Sequence, residues 1–419
     1  MFVIYDTLGV YGGSHTLMLR MAEWLNSRNI KMTIIGTSIS NTEVVEKLKK
    51  ENVRIIEGDL GNAKKGYHII SSLLEKEPIK MYCFSWNHYL DVERIKKKYA
   101  LEFDSFVYCI HPETFKKGIG FKSQIARKYS ITTYRKIFKR MNDNRSLISL
   151  DEINIKESES YLQCDLGNTT PIVYLPMYCL ERPDAEEIIK YGYNSNVLLT
   201  AARADFPYKG YMVGLIDLFA QIKHLFSEIV LEIVASGDDI QILKDKIDSQ
   251  DQSIRDAIRL YGWVEYDELK ALMRKCRAFI GMGTSVFDAT LQYKPSIVVK
   301  FNTMECISDH FVAENPTFMT TTPECNESAL KRITEAFEWD FDEYRKQSYL
   351  SFSKTKEIYD INNCMEQLVN VEPISKKSIL TIKESIRHHM NNRLNSVRFK
   401  KVSASDFKNL VWEKGQSRQ

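Results

Sequence analysis

The sequence predicts an α/β protein built from two doubly wound domains, and three observations carry that expectation. Short apolar runs rich in β-branched and aromatic residues alternate with amphipathic helical patterns, which gives a mostly parallel sheet with helices on both faces. The alternation runs twice, with a break near Pro176 and Pro183. Several of the loops that follow strands carry small or cationic residues, and ligands of such folds sit beyond the carboxyl ends of strands. Two similar domains facing each other across a cleft, at 1–178 and 179–370, are expected, followed by a basic helical extension at 371–419.

In the first half the expected strands are Phe2–Tyr5, Met32–Gly36, Val53–Glu57, Met81–Ser85, Ser105–Ile110, Ser146–Ser149 and Ile172–Leu175. Helical patterns fill the gaps, as at Thr16–Asn26 with Leu17, Leu19, Met21, Trp24 and Leu25 on its apolar positions. In the second half the strands are Val197–Ala201, Ile229–Ala235, Ile258–Tyr261, Cys276–Ile280, Ser296–Val299 and Thr317–Thr321. Pro295 stops a helix expected over Val286–Gln292. Beyond about Glu324 the chain reads as helical and polar.

A chain of 419 residues has room for two or three domains, and 44% apolar with 27% charged residues is ordinary globular composition. A formal charge of +3 points away from a nucleic-acid partner, and no recognisable nucleic-acid module is present. No apolar run reaches the roughly 18 residues of a spanning helix. The chain opens straight into a strand with no basic leader, so no secretory signal is expected. Cys83, Cys109, Cys164, Cys179, Cys276, Cys306, Cys325 and Cys364 are scattered without a CxxC pair. They read as reduced thiols of a cytoplasmic protein, with no structural metal.

The stretch Ile280–Asp288 is the most informative. A strand runs into Gly281-Met282-Gly283, and Thr284 and Ser285 stand where a helix starts, an arrangement whose free N–H groups and dipole suit a phosphate. The alternative is a plain capping box, Ser285 with Asp288, which needs no ligand. Arg203 and Lys209 follow the first strand of the second half, where paired cations suit a diphosphate leaving group. Gly237, after Val234-Ala235-Ser236, and Gly12-Gly13, after strand one, are further small-residue strand ends. His111, His88 and His15 also sit at strand ends, where an imidazole can exchange a proton or bind a sugar hydroxyl. Glu113 and Asp151-Glu152 are possible acidic partners. From Phe115 to Arg145, basic residues including Arg135, Lys136, Lys139 and Arg140 flank an aromatic stripe of Tyr134, Ile137 and Phe138, which suits either an anionic membrane surface or a core-packed surface helix. Asp340-Phe341-Asp342 reads as a solvated helix face.

With these residues assembled, the chain resembles the GT-B glycosyltransferases, and among them the bacterial retaining enzymes of the glycosyltransferase family 4 kind, over about residues 1–330. Gly12-Gly13 resembles the family's N-domain glycine loop, Arg203 with Lys209-Gly210 its donor-phosphate pair, and Gly262-Trp263-Val264, Asp267-Glu268-Leu269, Gly283–Ala289 and Lys294–Val298 its most specific segment. The resemblance implies a nucleotide-diphosphate sugar as donor, no cofactor and no metal. Arg203 and Lys209 would neutralise the leaving diphosphate, Thr284 and Ser285 would meet it, Asp288 would reach the ribose, and His111 would match the N-domain histidine. Gly237 and Gly283 would let the donor approach the backbone. It further implies a lipid-linked or glycan acceptor in cell-surface polysaccharide synthesis, with the enzyme at the inner face of the membrane. The sequence departs from the pattern at Ile280, where the first of two glutamates is usual, at Asp288 for the second, and at Lys294 for a glycine.

Overall fold

The computed structural model describes residues 1–8, 13–108, 124–166, 169–317, 319, 325–386 and 388. The chain divides into two units, Met1–Pro176 with Asn362–Gln419, and Met177–Ile361.

The first unit holds strands β1 (Phe2–Leu8), β2 (Met32–Ile39), β3 (Arg54–Glu57), β4 (Lys80–Cys83), β5 (Asp104–Tyr108) and β6 (Leu147–Ile148), in the spatial order β3-β2-β1-β4-β5-β6. All the pairings are parallel. Val3, Ile4 and Tyr5 in β1 and Met81, Tyr82 and Cys83 in β4 are fully buried, as a sheet covered on both faces requires. The second unit holds β7 (Val197–Arg203), β8 (Val230–Ser236), β9 (Ile258–Tyr261), β10 (Ala278–Gly281), β11 (Ser296–Val298) and β12 (His310–Phe311), in the order β12-β11-β10-β7-β8-β9. Only β12 runs antiparallel.

In both units the first strand is central, the next strands fill one side, and the chain then crosses to the other side. That reversal makes a switch point between β1 and β4, and another between β7 and β10, each opening a crevice at the carboxyl ends of the two strands.

The structure departs from the expected strands in two places. Ile172–Leu175 is no strand: Pro171 and Pro176 bracket it, and only Ile172 bridges to Ser149. The short antiparallel β12 was not among the expected strands, and Thr317–Thr321 falls largely outside the described residues. The described residues from Asn362 on group with the first unit. Among the described residues no helix is long and apolar enough to cross a membrane, and no cysteine is disulfide-bonded.

Candidate functional site

At the second unit's switch point, β7 delivers Arg203 half-exposed at its end, where Nη2 pairs with Asp205 Oδ2 at 2.9 Å. The loop then folds back on itself: Lys209 N donates to Asp205 O at 2.8 Å and Gly210 N to Pro207 O at 3.0 Å. A neighbouring strand end holds this loop. Ala204 N donates to Ser236 O at 2.8 Å, and Phe206 N donates to Asp239 Oδ2 at 2.9 Å. Gly237 sits between these contacts at φ +132°, and a Cβ there would lie 2.7 Å from Ala204 O. Glycine is required at Gly237 both by its backbone conformation and by that close approach. Gly210 is seated as tightly, with a Cβ placed 2.5 Å from Thr303 O.

Lys209 is half-buried in this frame, and among the described residues no carboxylate pairs with its ammonium. Burial, with Arg203 nearby, pushes the ammonium down to about 8, against a weaker opposing pull from Asp205. The Lys209 ammonium thus has no direct carboxylate partner of its own among the described residues, and lies beside Arg203, which shares Asp205.

Across the crevice β10 ends level with Ala201, since Ala278 and Phe279 pair with Leu198 and Leu199. The chain turns at Gly283, φ +76°, into the helix Thr284–Thr290. Gly283 is the N-cap and no side chain caps the helix, so the alternative of a Ser285–Asp288 capping box does not form. Ser285 Oγ instead donates to Met282 O at 3.2 Å, and Asp288, 6% exposed, receives the Tyr266 hydroxyl at 2.7 Å on Oδ1. A Cβ on Gly283 would meet nothing within 4 Å, so the turn faces open space with Thr284 and Ser285 half-buried behind it. Arg203, Lys209, Gly237, Gly283, Thr284 and Ser285 thus ring the carboxyl ends of adjacent strands. Asp239, which fixes the cationic loop, and Trp263, 57% exposed just past β9, were missed in the sequence. An aromatic in a turn directly after a strand was the available signal for Trp263.

At the first unit's switch point, Asp6 in β1 approaches His88 at the start of the helix Trp86–Tyr99, with Oδ1 3.4 Å from Nδ1. Tyr5 lies against the His88 ring with centroids 4.4 Å apart. His15 is buried and bonds the backbone of Thr7, and burial holds its imidazole below the usual range. Gly12, His111 and Glu113 lie outside the described residues; Gly13 opens the helix Gly13–Ser27. Asp151 is the N-cap of the helix Glu152–Leu162, accepting from Asn154 N at 2.7 Å, and burial raises its carboxyl to about 6. Asp340 likewise caps the helix Phe341–Tyr359.

The basic helix is Gln124–Asp143, and its stripe faces inward: Ile137 and Phe138 are 4% and 1% exposed, and Trp86 packs on Tyr134 and Phe138. That apolar face is core and is not available to a membrane. Arg135 Nε donates to Leu162 O at 2.7 Å and Arg140 Nη2 to both Glu384 oxygens at 2.7 Å, while Lys136 and Lys139 remain exposed. A hollow of about 780 Å³ beside Asn142, Arg145 and Ile374 opens at the amino end of β6, the wrong pole for a ligand of this fold.

The architecture is that of the GT-B glycosyltransferases, seen in solved structures at low identity. A glycosyltransferase from Rickettsia africae ESF-5 is 15% identical, with a TM-score of 0.59, covering 88% of this chain and 97% of that one. Anabaena HepE, solved with UDP and glucose, is 14% identical with a TM-score of 0.60, covering 88% and 98%. The lipopolysaccharide outer core galactosyltransferase WaaB is 13% identical with a TM-score of 0.52, covering 88% and 100%. No family model matches the chain, and no curated protein matches it.

Proposed function

We propose that the chain is a glycosyltransferase that binds a nucleotide-diphosphate sugar at the β7/β10 switch point. The observation that carries this reading is the pairing of Lys209 and Arg203 with the uncapped turn at Gly283, across one crevice at the carboxyl ends of neighbouring strands. Two cations and free helix N–H groups are what a departing diphosphate needs. Trp263 offers a face for the base, a stacking contact worth about 1–3 kcal/mol. HepE was solved with UDP, a ligand of the class expected here.

The acceptor, lipid-linked or a growing surface glycan, belongs with the first unit, where His88, close to Asp6 at the carboxyl end of β1, can hydrogen-bond an acceptor hydroxyl. Transfer without a metal and with retention follows only from the family 4 resemblance, as does action at the cytoplasmic face of the membrane. Ile280, fully buried in β10, replaces the glutamate that family members direct at the sugar, which favours a second reading as a non-catalytic donor-binding subunit.

A thermal-shift panel of UDP, UDP-sugars and other nucleotide sugars tests both. At 100 times its dissociation constant, a donor stabilises by about 2.7 kcal/mol. Stabilisation that is lost in Lys209→Met, accompanied by donor turnover, is the expected result. Stabilisation without turnover selects the binding subunit, and no response to any donor removes the reading.

A further inference from the structure

From Ile374 onward the sequence carries eleven lysines and arginines against three acidic residues. The described part of this stretch is laid along the first unit. Ser375 N donates to Asn144 Oδ1 at 2.7 Å, and Ile379 N donates to the buried Glu93 at 2.7 Å. Residues 382–386 and 388 are helical, and a single spacing pins them. Leu380, 2% exposed, enters the core; four positions on, Glu384 clasps Arg140; four further, His388 Nε2 lies 2.9 Å from Asp91 Oδ1. Glu384 and His388 follow one stripe of that helix, and Leu380 anchors the chain just before it starts.

Residues two positions from that stripe point the opposite way, because two helical steps turn the chain by more than half a circle. Those residues are Ile382 and Ile386, 67% and 57% exposed, with Ile374 nearby in sequence at 72%. Lone exposed isoleucines are ordinary. Here Ile382 and Ile386 share the outer face of a helix held by a preceding core leucine, the Glu384–Arg140 ion pair and the His388–Asp91 contact, in a strongly basic stretch of the chain.

We propose that this face, led by Ile382 and Ile386, docks on an anionic lipid bilayer. An apolar ridge inserted between headgroups, with cations around it, is the chemistry of an interfacial helix. The charge selects the occupant. A second copy would bring the same positive excess against itself, whereas an anionic leaflet attracts it. This contact replaces the one expected from Tyr134, Ile137 and Phe138, whose side chains are spent on the core. It does not depend on the donor site, so its test involves no turnover.

The full chain is floated with vesicles of phosphatidylcholine alone and of phosphatidylcholine with phosphatidylglycerol. The expected result is flotation with the anionic vesicles only. The double variant Ile382→Asp, Ile386→Asp lowers the vesicle-bound partition about tenfold or more with an unchanged thermal midpoint, since both side chains are exposed. Lys136→Glu with Lys139→Glu, on the helix whose apolar face is buried, leaves flotation in place. The proposal is overturned if the wild-type chain does not float, if the isoleucine variant floats as well as wild type, or if the Lys136/Lys139 variant alone abolishes flotation. It is equally overturned if the isoleucines instead support a concentration-dependent dimer.

Discussion

Lys209 and Lys294 show how little a perturbed cation says until its place in the fold is known. Burial pushes both ammonium groups down to about 8. Lys294 precedes β11, at the amino end of the sheet; it is fully buried and donates to Ile188 O at 2.9 Å. Lys209 follows β7, at the carboxyl end. The strand end, not the titration, separates a packing lysine from a ligand lysine. The pH dependence of donor binding expresses the difference. A folded-state value lowered from 10.5 means that the free protein holds the proton on Lys209 below about pH 8 and loses it above. Diphosphate favours the charged form, so UDP affinity is expected to fall as pH rises through 8, with proton uptake on binding in that range. Lys209→Arg should keep affinity and flatten the profile. Lys209→Met should lose about 1.5–3 kcal/mol, the worth of a charged hydrogen bond. Lys294→Met should leave affinity unchanged, because Lys294 lies at the amino end of the sheet; the loss of its bond to Ile188 O costs stability instead. Isothermal titration in buffers of different ionisation enthalpy reads all of these affinity outcomes, and a flat wild-type profile would refute the assignment. Desolvation also acts on stability. Because the unfolded chain keeps the Lys209 proton up to 10.5, the penalty of the buried charge is full below pH 8 and relaxes between 8 and 10.5, so this residue makes stability rise with pH there.

At the scale of elements, the strands were legible because buried parallel strands are nearly continuous apolar runs; Ile258–Tyr261 matches to the residue, and β7 and β10 shift by only two residues at an end. Less legible was what holds the loops. Asp239 lies three residues beyond β8 in sequence yet fixes the start of the cationic loop after β7, a partnership set by sheet order that a linear pattern does not contain. The same limit applies to the helix Gln124–Asp143: its stripe was visible, but whether core or membrane met it depended on Trp86, 48 positions from Tyr134 in sequence. Gly237 gives the loop geometry a test. Gly237→Ala forces a Cβ against Ala204 O and the Arg203 side chain at an unfavourable φ. The expected cost is about 1–3 kcal/mol of stability, together with weakened UDP binding, because Arg203 and the start of its loop move. Urea titration and calorimetry on one sample measure the pair. Normal donor affinity in a destabilised Gly237→Ala would detach the glycine from the site.

For the molecule as a whole, the consequential feature is that the first unit is completed by the end of the chain. The helix Ile361–Asn370 places Cys364, Met365 and Leu368 in buried positions, at about 1.5–3 kcal/mol for each large apolar side chain. The same return segment satisfies polar groups of the sheet and its neighbours: Tyr82 OH donates to Leu368 O at 2.8 Å, Lys80 Nζ to Val369 O at 2.8 Å, and Trp24 Nε1 to Asn362 Oδ1 at 3.1 Å. A chain ending at Ile361 loses these contacts together, leaving Tyr82 and Lys80 beside an apolar surface open to water. The lost burial approaches the whole stability of an ordinary domain, about 5–15 kcal/mol. The first unit should therefore fail in such a truncation while the second keeps its fold, since no strand of the second unit comes from beyond Ile361. Hydrogen exchange resolves the two. Amides of β1 and β4 should exchange freely in the chain ending at Ile361, and those of β7 and β10 should stay slow and slow further with UDP. A chain ending at His388 keeps Leu380 and the Glu384–Arg140 pair, so it should show wild-type protection in β1 and β4. Protected β1 amides in the shorter chain would mean that the return segment decorates a unit already complete without it.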